Sequence, residues 1–123
     1  MGKALKVVVV GDSQNEALRV AADLEQCGYE PSFSLVASDA ELASATRAEC
    51  DLVIAWRATP SLPAERTLQV VRAATPMLPV LVYAGGYAED EIVSLMRAGA
   101  GDCLRKGDLV RLRVAVEREL AVA

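Results

Sequence analysis

The stretch Cys50-Asp51-Leu52-Val53-Ile54-Ala55-Trp56-Arg57-Ala58-Thr59-Pro60 decides the fold. Leu52 to Ala55 form an unbroken apolar row without the polar alternation of a half-solvated strand, so the row predicts a strand covered by helices on both faces. Such a strand is central to an open α/β sheet. In sheets of that kind the binding or reaction site lies just beyond the carboxyl ends of the strands, and the residue standing there is Trp56. A tryptophan packs or stacks, but its side chain supplies no acid, base, nucleophile or hard-metal ligand.

Working outward, Leu5 to Val10 is a second continuous apolar run, ending at Gly11-Asp12-Ser13. Asp12 or Ser13 is positioned to cap the next helix, in which Ala17, Val20, Ala21 and Leu24 recur at helical spacing and Gly28 marks the stop. Pro31 to Ala37 alternates Phe33 and Leu35 with serines and reads as an edge strand, where a proline is tolerated. Ser38-Asp39-Ala40-Glu41 has capping-box spacing and opens a short helix. After the central strand, Ser61-Leu62-Pro63 turns into a helix with Leu68 and Val71 inward, ending before Thr75-Pro76. Pro79 to Tyr83 is a fourth strand, and Gly85-Gly86 reads as a turn. A helix with Ile92, Leu95 and Met96 inward then runs to Gly99. Asp102 to Leu104 is a short fifth strand, and a last helix, capped by Asp108, carries Leu109, Leu112, Val116 and Leu120 on one face. Five βα units without repeat or linker predict one doubly wound α/β domain with a parallel five-stranded sheet in the order 2-1-3-4-5.

Composition narrows the function classes. The chain has 123 residues, the size of one domain, and is 53% hydrophobic with only 4% aromatic, which predicts a core of Val, Leu, Ala and Ile. No apolar run approaches a membrane span, and no cleavable leader is recognisable, so the expectation is a cytoplasmic protein. Cys27, Cys50 and Cys103 are odd in number and widely spaced, which fits reduced thiols. The chain contains no histidine, which removes histidine-based triads, metal sites and phosphohistidine chemistry. A net charge of -4 with dispersed arginines offers no field for nucleic acid.

The motifs Val7 to Ser13, Asp51 to Pro60, Pro79 to Gly85 and Met96 to Leu120 together resemble the receiver domains of response regulators, over essentially the whole chain. Arg97-Ala-Gly-Ala-Gly-Asp-Cys-Leu-Arg-Lys106 is similar to that family's AGAxDYLxK, and Trp56 to Pro60 fits its D-x-x-x-P spacing. The resemblance implies a single CheY-like (flavodoxin-like) (βα)5 domain over residues 1–123, either free-standing or part of a longer signalling protein.

Carried over position by position, the resemblance places the family's magnesium-holding acids on Gly11 and Asp12, its phosphoacceptor aspartate on Trp56 and its hydroxyl residue on Ala84. Its lysine falls on Lys106 and its switch aromatic on Cys103. Asp12 is then the only remaining candidate ligand, too few oxygens for Mg²⁺, and no metal or other cofactor is expected. Asp12 also reads as a helix cap or as the ion-pair partner of Lys106, Trp56 as filler of the emptied acidic pocket, and Cys103 as core.

The resemblance and its departures together imply a degenerate receiver, a pseudo-receiver, that acts in a two-component or phosphorelay system by protein–protein interaction rather than by phosphorylation. The expected partner is a histidine kinase, an output domain or a second copy, with no nucleic acid and no membrane. The expected docking face comprises Glu89 to Arg97, Cys103 and Asp108 to Glu119, with Arg111 and Arg113 prominent. The alternative is a small-molecule sensor with its ligand between Trp56, Ala84 and Gly85. An enzyme is not expected, because the site offers only Asp12 and Lys106 as titratable groups.

Overall fold

A computed structural model of the chain describes residues 2–57, 59–84, 89–105 and 107–122. The elements alternate without exception: β1 (Lys3–Val10), α1 (Gln14–Gln26), β2 (Tyr29–Val36), α2 (Asp39–Arg47), β3 (Leu52–Trp56), α3 (Ala64–Ala74), β4 (Val80–Tyr83), α4 (Glu89–Arg97), β5 (Asp102–Leu104) and α5 (Leu109–Val122). The five strands form one sheet in the order β2-β1-β3-β4-β5, and every pairing is parallel. This is the expected flavodoxin-like, CheY-like architecture.

The unbroken apolar runs have a direct physical outcome. Successive side chains of a strand point to opposite faces, and both faces here are covered. Val7, Val9, Leu52, Ile54, Leu81, Tyr83 and Leu104 meet Ala17, Val20 and Leu24 of α1 and Leu112, Ala115 and Val116 of α5. Val8, Val10, Val53, Ala55, Val80, Val82 and Cys103 meet Leu42 of α2, Leu68 and Val71 of α3, and Leu95 of α4. The strand ends therefore stand between two helical layers, with α1 and α5 on one side and α2, α3 and α4 on the other.

Local signals operate as expected at most boundaries. Ser38 caps α2, and Gly28 and Gly99 take positive φ angles of 93° and 111° at helix ends, where a Cβ would be strained. Pro31 lies in edge strand β2, opposite Leu5, where its missing N–H costs no ladder bond on the outer side. One alternative is decided and one expectation needs correction. Of the two candidate caps of α1, Ser13 is the cap: its hydroxyl accepts from the Glu16 N–H in a full capping box, while Asp12 is exposed. Met96 is 42% exposed, whereas Leu95 beside it is 2% exposed, because one residue advances about 100° around the helix and carries Met96 to the rim of α4.

Candidate functional site at the strand ends

The site is built from the residues that end β1, β3 and β4. Trp56 is the last residue of β3, paired in register with Tyr83 at the end of β4. The two rings meet edge to face, with centroids 5.1 Å apart and planes at 69°, an arrangement that adds roughly 0.5–1.5 kcal/mol to simple burial. Tyr83 is buried, and its hydroxyl donates to Asp23 Oδ2 of α1 at 3.0 Å. Asp23, itself buried, also pairs with Arg19 at 3.3 Å. Burial, and then the neighbouring Asp23 carboxylate, push the Tyr83 phenol far above the ordinary tyrosine range. A line of contact thus runs from Trp56 through Tyr83 and Asp23 to Arg19, at the surface of α1.

Gly11 sits directly against the indole. A Cβ placed on it would lie 3.3 Å from Trp56 Cδ1, a tight contact, and 2.8 Å from Glu16 Oε1, the end of a side chain that would have to shift. The Glu16 carboxylate is held there by the backbone: it accepts from Asp12 N–H at 2.7 Å and Ser13 N–H at 3.3 Å. The space where an aspartate at position 11 would stand is therefore filled by a glutamate from α1 and by Trp56.

Ala84 is buried and ties β4 to β5 through its N–H, which donates to the Leu104 carbonyl at 2.8 Å, with no side-chain hydroxyl to offer. After Trp56 the backbone is fixed by Arg57 N–H to Tyr83 O at 2.8 Å and by the buried Thr59 hydroxyl to Trp56 O at 3.2 Å. Lys106 and Gly85 lie outside the described residues, and with them the expected Asp12–Lys106 pair and the far wall of the expected ligand site.

Magnesium is the metal that this kind of site would hold, and the residues present do not fit it. Gly11 and Trp56 supply no oxygen from their side chains, and Glu16 already serves two backbone N–H groups. Among the described residues at the strand ends, Asp12 and at most the second oxygen of Glu16 are left, against a requirement for several oxygen ligands. Among the described residues, no group of three or more His, Cys, Asp or Glu converges on a metal-sized space.

The expected docking face separates into parts. Cys103 is 1% exposed and packs in the core among Val82, Leu95 and Ala100, so it contributes nothing to a surface. Burial pushes its thiol up, with Asp102 adding to the effect and Arg111 opposing it. Arg111 reaches over β5 to Asp102 at 3.0 Å, joined by Arg118 at 3.6 Å. Arg113 stands on another side of α5, beside Cys27, whose thiol is pushed up by burial and partly drawn back by that guanidinium. Residues two apart on a helix diverge by about 200°, so Arg111 and Arg113 do not share one surface.

Three features of the region escaped the sequence reading. The Glu16 back-cap was detectable, since Ser13-Gln14-Asn15-Glu16 has capping-box spacing. The Tyr83–Asp23 and Asp102–Arg111 contacts join residues from different elements, and no spacing signals them.

No family model matches the chain, and no curated protein matches it by sequence. Solved structures match it throughout. A response regulator receiver domain from Clostridium thermocellum superposes with a TM-score of 0.79 at 22% identity, covering 96% of this chain and 95% of that one. The chain has the receiver-domain fold. The receiver domain of a sensor histidine kinase from Pseudomonas aeruginosa, solved with magnesium coordinated in its active-site cleft, gives 0.76 at 18% identity, covering 96% and 98% of the two chains. NtrX from Brucella abortus, solved in complex with ADP, gives 0.79 at 27% identity, covering 97% of this chain but 27% of that longer one. On the receiver fold, Gly11, Asp12, Trp56 and Ala84 occupy the carboxyl ends of β1, β3 and β4, at or just beyond each strand.

Proposed function

We propose that the chain is a receiver-like signalling module of a two-component or phosphorelay system that works without aspartyl phosphorylation, through protein–protein interaction. The observation that carries this reading is Trp56, which ends the central strand with its ring against Tyr83 and its Cδ1 edge against Gly11. Phosphoryl transfer needs an acceptor and groups that neutralise charge spread over the phosphoryl oxygens. At these strand ends the acceptor position holds an indole, a metal carboxylate is replaced by glycine, and the hydroxyl position is Ala84. Catalysis of another kind finds no support here either, since no acid and base among the described residues of the site converge on a shared space.

The partner is a histidine kinase, an output domain or a second copy, and the outer surfaces of α4 and α5 favour such contact. Val93 and Met96 on α4, with Val110 and Val114 on α5, are exposed apolar residues set among charges. Isolated apolar residues on a surface are ordinary, but pairs on adjacent turns give a partner something to bury. Among the described residues, no helix is long and apolar enough to cross a membrane.

A second reading, a small-molecule sensor, has one observation in its favour. The Trp56 indole N–H is buried with no hydrogen-bond partner among the described residues, and an open groove of about 530 Å³ beside it is lined by Asn15, Glu16, Leu18, Arg19 and Trp56, on the α1 side and not toward Ala84. Ligand-dependent stabilisation in a thermal-shift screen would support that reading.

The test of the leading reading uses the chain's single tryptophan. Titration with Mg²⁺ is expected to leave Trp56 emission unchanged. Saturable quenching abolished by Asp12→Ala would contradict it.

A further inference from the structure

Helix α4 is held to the rest of the molecule more thinly than α1 or α3. Its one buried residue is Leu95, with Ile92 partly buried beside it. By contrast, α1 buries Ala17, Val20, Asp23 and Leu24, and α3 buries Ala64, Thr67, Leu68 and Val71. What α4 lacks in apolar contact is supplied at its ends by two arginines from other elements. At its C-terminal end Arg72 of α3 donates to the Gly99 carbonyl at 2.9 Å, and also to the carbonyls of Pro76 and Leu78, both at 2.8 Å. At its N-terminal end Arg57 pairs with Glu91 at 3.1 Å.

The two attachments differ in kind. Arg72 binds three backbone carbonyls, two of them in a partly buried place. The Arg57–Glu91 pair is partly exposed, at 31% and 44% of the two side chains, so it is weak, reversible and open to salt. Its location is what gives it consequence. Arg57 follows Trp56 directly, and its main chain is pinned on both sides, the N–H to Tyr83 O at 2.8 Å and the carbonyl to Ala64 N–H at 3.3 Å. Movement of Arg57 is thus confined to its side chain. On the other partner, Glu89, Asp90 and Glu91 crowd three carboxylates into the first turn of α4. That turn is favoured by the helix dipole but self-repelling, and a cation held against it relieves the repulsion.

We infer that the Arg57–Glu91 pair is an electrostatic clasp that couples the end of the central strand to α4: while it is closed it suppresses local opening of α4, and when Arg57 is drawn away that opening becomes a few-fold more frequent without unfolding of the sheet. The clasp links the Trp56 region to the helix that carries the exposed Val93 and Met96. This extends the function proposed above but stands independently of it, because it concerns the chain's own hydrogen-exchange behaviour and requires no partner.

Native-state hydrogen exchange of the full chain, resolved by peptide, tests it. Arg57→Gln removes the cation and leaves the acidic first turn intact, and Glu91→Gln removes the anion. Each is expected to speed exchange of α4 amides by about two- to fivefold, the range set by ion pairs of this exposure, while α1 and α3 keep their wild-type rates. The charge-exchanged Arg57→Glu/Glu91→Arg chain is expected to recover most of the protection. Raising salt from roughly 0.02 to 0.5 M shortens the Debye length from roughly 20 Å to roughly 4 Å, so it is expected to weaken the exposed pair and speed α4 exchange in the wild type, and to have less effect in Arg57→Gln. Wild-type α4 rates in both single variants would overturn the inference, as would a rise shared equally by α1 and α3, which signals global destabilisation. If Arg57→Gln fails to fold, Glu91→Gln and the salt series still decide the matter.

Discussion

Trp56 and Gly11 constrain each other, and the constraint has a measurable sign. A methyl group at position 11 meets the indole at 3.3 Å and the end of the Glu16 side chain, which must shift, at 2.8 Å, so Gly11→Ala is expected to cost about 1 kcal/mol by overpacking. Part of that cost disappears when Trp56 is made smaller, and a double-mutant cycle with Trp56→Leu by urea melts is expected to give a coupling of ~0.5 kcal/mol or more. Additive costs would mean that the two residues do not share the space. Tyr83 carries a pH signature. Its folded pKa is raised above the unfolded value of about 10, so the stabilisation is fully present below that value and is lost as pH rises beyond it. Denaturant midpoints are expected to begin to fall near pH 9, where unfolded thiols ionise while the buried Cys27 and Cys103 resist it, and to fall more steeply above about 10, and Tyr83→Phe is expected to flatten that steeper part. At this scale the sequence was only partly legible. The place of Trp56 at the carboxyl end of the central strand was plain from the apolar run that precedes it. The Tyr83–Asp23 bond was not, because residues 60 apart in the chain meet only once the sheet is wound.

Among the elements, α1 separates two roles that sequence alone left open between Asp12 and Ser13. Ser13 Oγ accepts from Glu16 N–H, and the Glu16 carboxylate returns to the backbone before it, whereas the Asp12 side chain is exposed. Ser13→Ala is therefore expected to lower stability by about 1 kcal/mol, and Asp12→Ala to stay within about 0.5 kcal/mol of wild type. The reverse order in chemical denaturation would restore Asp12 as the cap. The strands and the helix faces were readable because a continuous apolar run has one economical solution, burial on both sides of a sheet. Ends were less so: β1 and β2 extend to Lys3 and Tyr29, since pairing in register with each other recruits flanking residues that have no apolar pattern of their own. The expected α5 docking surface divided for a related reason. Helical spacing places Arg111 toward Asp102 and Arg113 toward Cys27, and only the winding of α5 on the sheet decides which neighbour each meets.

For the whole molecule, the receiver fold was legible from five βα units and four motifs in order, and the region at its strand ends holds Glu16, Trp56 and Ala84. A fold held by two apolar layers does not depend on the groups at its strand ends. Assembly belongs to the same scale. If Val110 and Val114 mediate self-contact, light scattering is expected to detect concentration-dependent dimers that Val110→Glu/Val114→Glu abolishes without a loss of stability, since both side chains are exposed. An unaffected dimer would move the interface elsewhere. Restoring phosphorylation is expected to need Gly11→Asp, Trp56→Asp and Ala84→Thr together, because Trp56→Asp alone removes a packed ring and still leaves too few oxygens for a metal. The most direct measurement is intact mass after incubation of the wild-type chain with Mg²⁺ and a small-molecule phosphodonor. The account predicts an unmodified mass, and stable, Mg²⁺-dependent addition of one phosphoryl group to the wild-type chain would contradict it.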